Sequence, residues 1–258
     1  TSRCNLNCRH CYSSSMDSAA ADELSTQQAG ALLEDLRSAG CPVVLFSGGE
    51  PLLRKDLPGL VRCAASLGMK TAVSTNGTLI TYDTAFGLKD AGLGYAGISI
   101  DGSEQVHDRF RGSKGSFKRV VIALGNCRRA GLKAGLRFTI VRSNADQIPG
   151  IFEIAASEGV RRICFYHLLR TGRARSLQND LLPPQGVRDV MDAILELTAE
   201  YTGKGLLDEV LTVGNHADGP YLLSRLERRS GMDKVSQEAR RLLEINGGNR
   251  TGERIGCV

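Results

Sequence analysis

Short apolar, β-branched runs alternate along this chain with longer stretches in which apolar residues recur every three or four positions. Runs near 42–47, 70–74, 95–100, 134–140 and 162–167 read as strands. The stretches at about 25–39, 57–67, 83–91, 116–130 and 147–158 read as amphipathic helices. Regular alternation of the two predicts parallel strands joined by crossover helices, an α/β fold. The punctuation agrees: Ser25-Thr26-Gln27-Gln28 opens the first helix as a cap, and Gly40, Gly68, Gly92 and Gly131 stand where helices should stop. Parallel strands bring their C-terminal ends to one mouth, so polar residues there are the site candidates.

Past the last of these strands, residues 169–182 read as a linker, with Arg170, Arg173 and Arg175 around Thr171-Gly172. A further helical pattern covers about 186–203, and Glu209-Val210-Leu211-Thr212 leads into Gly214-Asn215-His216-Ala217-Asp218-Gly219. The expected division is a main domain with its packing helix over 1–203 and a smaller appended region over 204–258.

Candidate chemistry starts at Cys4-Asn-Leu-Asn-Cys8-Arg-His-Cys11. Structural zinc is fully ligated and favours paired C-x2-C knuckles, so three cysteines with no fourth nearby point to a four-iron cluster with one open iron. Tyr12 follows the last of them, and Ser47-Gly48-Gly49-Glu50-Pro51 comes directly after the apolar run Val43-Val44-Leu45-Phe46. The pair resembles the signature of radical S-adenosylmethionine (SAM) enzymes. The resemblance implies a [4Fe-4S] cluster on Cys4, Cys8 and Cys11 that binds SAM and cleaves it to a 5′-deoxyadenosyl radical. It also implies a methionyl site in which Gly48 and Gly49 allow close backbone approach, Glu50 accepts from the ammonium and Pro51 fixes the turn. Among the strand ends, Ser99 and Arg137 look like contacts to the ribose or carboxylate of SAM, with Asn76 and Asp101 lining the same mouth. Asn76-Gly77 and Asp101-Gly102 are equally plain turn formers.

In the resembling family the cluster loop follows a first barrel strand. Here it begins at Cys4, so that strand is expected before Thr1 and the sequence is expected to be a fragment. Five strands and the absent one make six β/α units, the partial (β/α)6 TIM-type barrel of the family. Cys257, after the polar run Asn246-Gly247-Gly248-Asn249, falls where relatives begin the ligand set of a second, auxiliary [4Fe-4S] cluster in a SPASM-type extension.

The tail narrows the resemblance. Tyr166-His167-Leu168-Leu169-Arg170-Thr171-Gly172-Arg173 and Asn215-His216-Ala217-Asp218-Gly219 are similar to the tetrapyrrole-modifying enzymes of heme d1 synthesis and of the siroheme-dependent heme pathway, nearest the didecarboxysiroheme deacetylase branch. That implies an iron tetrapyrrole substrate losing acetate or propionate side chains, and a reductant such as ferredoxin or flavodoxin. His167 and His216 are then the catalytic candidates, as ligands of the substrate iron, donors to a carboxylate or acids. The alternatives are a radical SAM enzyme acting on a ribosomally made peptide and a non-catalytic iron–sulfur or zinc protein, the latter disfavoured by Gly48-Gly49-Glu50-Pro51.

Composition adds limits. With 258 residues and 41% hydrophobic content the chain can bury one large core. No stretch approaches the roughly 20 apolar residues of a membrane span. Reduced thiols in a cytoplasmic protein suit eight cysteines here better than a disulfide framework. A net charge of +5, with Arg109, Arg111, Arg170, Arg173 and Arg175 near the mouth, would suit a polycarboxylate, though exposed arginines are often only a solvated surface. Nucleic acid is disfavoured, since aromatics are 5% of the chain and no recognition motif accompanies the charge. Cys41, Cys63, Cys127 and Cys164 read as buried thiols, His10 as packing near the cluster, and His107 as a surface residue at a helix start.

Overall fold

The computed structural model describes residues 1–230, apart from 19 and 21. Its elements run α1 (Thr26–Ser38), β1 (Val43–Phe46), α2 (Leu57–Ser66), β2 (Lys70–Thr75), α3 (Tyr82–Asp90), β3 (Tyr95–Ser99) and α4 (Glu104–Arg111). They continue through α5 (Ser116–Arg129), β4 (Ala134–Ile140), α6 (Ile148–Glu158), β5 (Arg162–His167), α7 (Pro184–Gly203), β6 (Glu209–Val213) and α8 (Asp218–Ser230). All six strands are parallel and lie in sequence order, the half-barrel arrangement expected of six β/α units.

The six strands are counted differently from the expectation. Five were expected within the chain, and the structure adds β6, which pairs with β5 from Arg162↔Glu209 to Tyr166↔Val213. The Arg162–Glu209 ion pair (2.7 Å) lies at the start of that ladder. The first compact unit therefore runs from Thr1 to Gly214, past the break expected at 203, and the second is Asn215–Val258. The short helix α4 was also not anticipated, because Glu-Gln-Val-His-Asp-Arg-Phe-Arg carries only two apolar residues.

Helices cover one face of the sheet. Val73, Ala96, Ile98, Leu136, Phe138, Ile163 and Phe165 are buried, and the Phe165 ring meets Phe138 at 5.7 Å and Phe152 of α6 at 5.8 Å. Val44 and Phe46 pack with Leu33 and Leu60 of α1 and α2, so Val43 and Leu45 point to the other, concave face and are 46% and 42% exposed. By the two-residue period of the strands, Ser74, Gly97, Ser99, Gly135, Arg137, Cys164 and Tyr166 share that concave face. The apolar face holds the barrel together; the polar one is free for ligands. No described helix is long and apolar enough to cross a membrane.

Candidate active site

Residues 3–16 form a loop closed by a bridge between Arg3 and Met16, where Cys4 N donates to Met16 O (2.8 Å). Cys4 and Cys8 are buried around Leu6, with Cys11 packed against them. Three separate parts of the fold brace this loop. Asn76, just past β2, donates through Nδ2 to Asn5 Oδ1 (2.9 Å). Phe110 of α4 accepts from Arg9 N through its carbonyl (3.3 Å) and stacks its ring on His10 at 4.1 Å. Arg173 donates from Nε to Cys8 O (2.9 Å), from Nη1 to Ser15 O (2.7 Å) and from its backbone N to Cys11 O (2.9 Å). Gly172 makes that last approach possible: at φ +56° a Cβ there would run into the carbonyls of Cys11 and Tyr12.

Each of the three sulfurs meets a donor from the protein. Cys4 Sγ lies 3.4 Å from Leu6 N and 3.9 Å from Asn76 Nδ2, Cys8 Sγ is 3.8 Å from Arg111 Nη1, and Cys11 Sγ is 3.4 Å from Ser13 Oγ. Donors at sulfur suit thiolates. Burial pushes the Cys4 and Cys8 thiols up, while at Cys11 the Ser13 hydroxyl and nearby backbone N–H groups outweigh burial and bring it down. Among the described residues no three His, Cys, Asp or Glu side chains converge on a single ion. Three thiols in one loop, each with its own donor, fit the three cysteine ligands of a four-iron cluster.

Glu50 stands beside this loop and is fully buried. Its Oε1 accepts from Leu52 N (3.1 Å) and Thr75 Oγ1 (2.7 Å), and its Oε2 from Asn76 N (2.7 Å). Burial raises its carboxyl above the ordinary range despite these three hydrogen bonds and the charge of Arg111, and no cation stands within ion-pair distance of it among the described residues. Gly48 and Gly49 have a reason to lack a side chain other than ligand approach. A Cβ at either would collide with backbone of Thr1 or Arg3, where Gly49 N donates to Thr1 O and Glu50 N to Arg3 O, both at 2.7 Å. Pro51 opens the short 3-10 turn Pro51–Leu53 that holds Leu52 N toward Glu50.

Arg137 lies on the concave face, opposite Ser99 in the β3–β4 register. Its Nη1 donates to Ser74 Oγ (2.7 Å), its guanidinium sits 5.6 Å from the Tyr166 ring centre, and a Cβ on Gly97 would occupy its space. Its buried Nε has no partner among the described residues. A fixed cation with an unspent donor, on the same face as Ser99, is what a bound anion or hydroxyl would complete.

Asp101 is placed differently from the expectation of a residue lining the mouth. It is fully buried behind the cluster loop, its Oδ2 accepting from Arg111 Nε (2.6 Å) and its Oδ1 from Thr139 N (3.0 Å). Asn76 likewise spends its amide on Asn5 and Thr78. Arg111 and Arg173, considered as clamps for a polycarboxylate, are committed to the protein through Asp101 and the loop carbonyls. His107 is not a surface residue. It is 1% exposed in α4, its Nδ1 accepting from Asp101 N (3.1 Å), and burial lowers it from the usual 6.5 to about 4. Between pH 6.5 and about 4 the unfolded chain therefore binds a proton that the folded one refuses, so stability falls as pH drops through that window. At pH 5 the loss relative to pH 8 is expected to be about 2 kcal/mol from this group. Urea unfolding of wild type and His107→Gln at both pH values checks it, with the variant losing less.

The family comparison agrees with this geometry: the model of the Radical SAM superfamily matches residues 1–155. The chain belongs to the radical SAM superfamily. Fe-coproporphyrin III synthase of Methanosarcina barkeri is 47% identical over 258 residues, all of this chain and 64% of that protein. Pre-heme d1 synthase of Dinoroseobacter shibae is 37% identical over 253 residues, 98% of this chain and 62% of that protein. The chain thus spans less than two thirds of these curated relatives. The fold also matches Streptococcus suis SuiB bound to S-adenosylmethionine, with a TM-score of 0.70 at 16% identity, over 84% of this chain and 49% of that one.

The remaining candidates of this radical SAM chain are dispersed. His167 ends β5, half-buried at the mouth, and Tyr12 is 54% exposed within the loop. His216 belongs to the second unit, where Asn215 Nδ2 donates to Asp218 Oδ1 (2.8 Å) and Asn215 Oδ1 accepts from Ala217 N (3.1 Å) in a turn leading into α8. Cys257 lies outside the described residues. Cys127 and Cys164 are buried, Cys127 pushed up to about 11 by burial, whereas Cys41 and Cys63 are only half-buried.

Proposed function

We propose that this protein is a radical SAM enzyme that removes or modifies carboxylate side chains of a siroheme-derived iron tetrapyrrole in heme or heme d1 synthesis. The observation that carries it is the 47% identity to an Fe-coproporphyrin III synthase along the whole chain, seconded by 37% to a pre-heme d1 synthase. Cys4, Cys8 and Cys11 would hold a [4Fe-4S] cluster. Bound there, the cluster supplies an open iron for SAM and the electron that breaks its C–S bond. Glu50, buried without a cation, takes the methionyl ammonium in its remaining acceptor position. Arg137 offers its unspent Nε to the SAM carboxylate or ribose beside Ser99, Gly48, Gly49 and Pro51 carry Glu50 past the backbone of Thr1 and Arg3, and Tyr12 lies exposed in the cluster loop.

Asp101 and Asn76 serve the site indirectly, by holding the loop. A longer protein would add a second cluster with Cys257 among its ligands, and an external reductant such as ferredoxin or flavodoxin would deliver the electron. His167 and His216 are each a candidate for the tetrapyrrole, because they lie in the segments similar to tetrapyrrole-modifying enzymes and not in the shared radical SAM motifs. His167→Ala and His216→Ala are expected to retain SAM cleavage without substrate yet lose side-chain removal, and at least one should change the visible spectrum of the bound pigment. Side-chain removal at the wild-type rate by both variants would make these histidines structural.

A further inference from the structure

The pair formed by Asp101 and Arg111 has no evident place in binding SAM or a tetrapyrrole, yet both side chains are buried and held by several hydrogen bonds. Arg111 ends α4, 7% exposed, with Nε 2.6 Å from Asp101 Oδ2 and Nη1 3.8 Å from Cys8 Sγ. Asp101 is held from three sides. Its other oxygen accepts from Thr139 N of β4, its backbone N donates to His107 Nδ1 and its carbonyl accepts from Asn144 Nδ2 (3.3 Å). Gly112, which follows Arg111 at φ +64°, turns α4 back against the loop, where a Cβ would press on Asn7 O at 3.0 Å.

Stability alone is a poor reason for such an arrangement. A buried ion pair typically adds little over an apolar pair of the same volume, because desolvation consumes the Coulombic gain. What this pair does that an apolar one cannot is present a positive N–H to one thiolate of a neighbouring centre. Hydrogen bonds and charge at cysteine sulfur are principal levers on the potential of an iron–sulfur cluster.

We infer that Arg111 and Asp101 are positioning residues that set the reduction potential of the cluster through Cys8, with opposite signs. The inference rests on the reading of Cys8 as a cluster ligand. Arg111 stabilises the more negative, reduced cluster and raises its potential; Asp101 aims the guanidinium and partly offsets its charge. Losing Arg111 therefore makes the cluster harder to reduce, and neutralising Asp101 makes it easier. A residue that merely held the loop would not give shifts of opposite sign.

The test is potentiometric titration of the reduced cluster by electron paramagnetic resonance in the reconstituted full-length protein, without SAM. Wild type, Arg111→Gln, Arg111→Lys and Asp101→Asn are compared, with iron content measured in each. At the potential where wild type is half reduced, the reduced-to-oxidised ratio is expected to fall at least threefold in Arg111→Gln and to rise at least threefold in Asp101→Asn. Arg111→Lys, which keeps the charge, should lie between Arg111→Gln and wild type. Unchanged ratios, or shifts of the same sign, with wild-type iron content would overturn the inference. Should Arg111→Gln fail to fold, the absence of a rise in Asp101→Asn would overturn it alone. Failure of the underlying reading looks different: Cys8→Ala would then carry the same cluster as wild type.

Discussion

A chain with Cys4, Cys8 and Cys11 all replaced by Ala is expected to bind no cluster and to release 5′-deoxyadenosine from SAM only at the no-enzyme background. The expectation follows from the loop itself. Each of the three sulfurs has its own donor, from Leu6 and Asn76, from Arg111, and from Ser13, so each has a built place. The substitutions remove little packing, since an Ala methyl fills most of the volume of a thiol side chain, and the braces from Arg173 and Phe110 act through backbone and ring. The variant should therefore fold, with a circular dichroism spectrum like that of the apo wild type. Single replacements are expected to lose SAM cleavage as well, because two thiolates hold such a cluster poorly. Release of 5′-deoxyadenosine by the triple variant at the wild-type rate would refute the assignment.

The second large effect is at Glu50. Its carboxylate accepts three hydrogen bonds from the protein, so Glu50→Ala would strand the Leu52 and Asn76 N–H groups and the Thr75 hydroxyl in a buried space. Each stranded donor costs about 1–3 kcal/mol, and the loss would fall on folding as well as on ligand binding. Glu50→Gln is the cleaner change. It keeps an acceptor for Leu52 and Thr75 while removing the buried negative charge that waits for a cation. A charge-assisted bond of about 1.5–3 kcal/mol is lost, so SAM should bind at least about tenfold more weakly. Iron content and cluster absorbance should stay at the wild-type level. Equilibrium binding of SAM to reconstituted Glu50→Gln decides it, and unchanged affinity would remove Glu50 from the methionyl site.

Alternation of apolar runs with helical stretches was enough to place five strands and most helices, because buried parallel strands and long amphipathic helices leave strong periodicities. What escaped was short or polar. β6 has five residues and starts with Glu209, and it reads as tail until its register with β5 and the Arg162–Glu209 pair are seen. At the site, the cysteines and Gly48-Gly49-Glu50-Pro51 were legible as motifs, since residue type and spacing carry the chemistry. The braces were not. Arg173 grips the carbonyls of Cys8 and Ser15, and a carbonyl is offered by every residue, so nothing in the sequence singles out the partner. Asp101 and Arg111 did carry a signal, an acid and a base ten positions apart around a short helix, but charge alone did not reveal that they face inward.

The most direct test of the whole account is the mass of a tetrapyrrole. Full-length enzyme, reconstituted with iron and sulfide, is incubated anaerobically with SAM, a reductant and a siroheme-derived iron tetrapyrrole bearing acetate and propionate groups. The pigment is followed by mass spectrometry and 5′-deoxyadenosine is quantified alongside. The account predicts a pigment lighter by one or more carboxylate side chains or carboxyl groups, formed in step with 5′-deoxyadenosine and absent from the triple cysteine variant. A pigment of unchanged mass while SAM is cleaved, with a ribosomally made peptide modified instead under the same conditions, would contradict it.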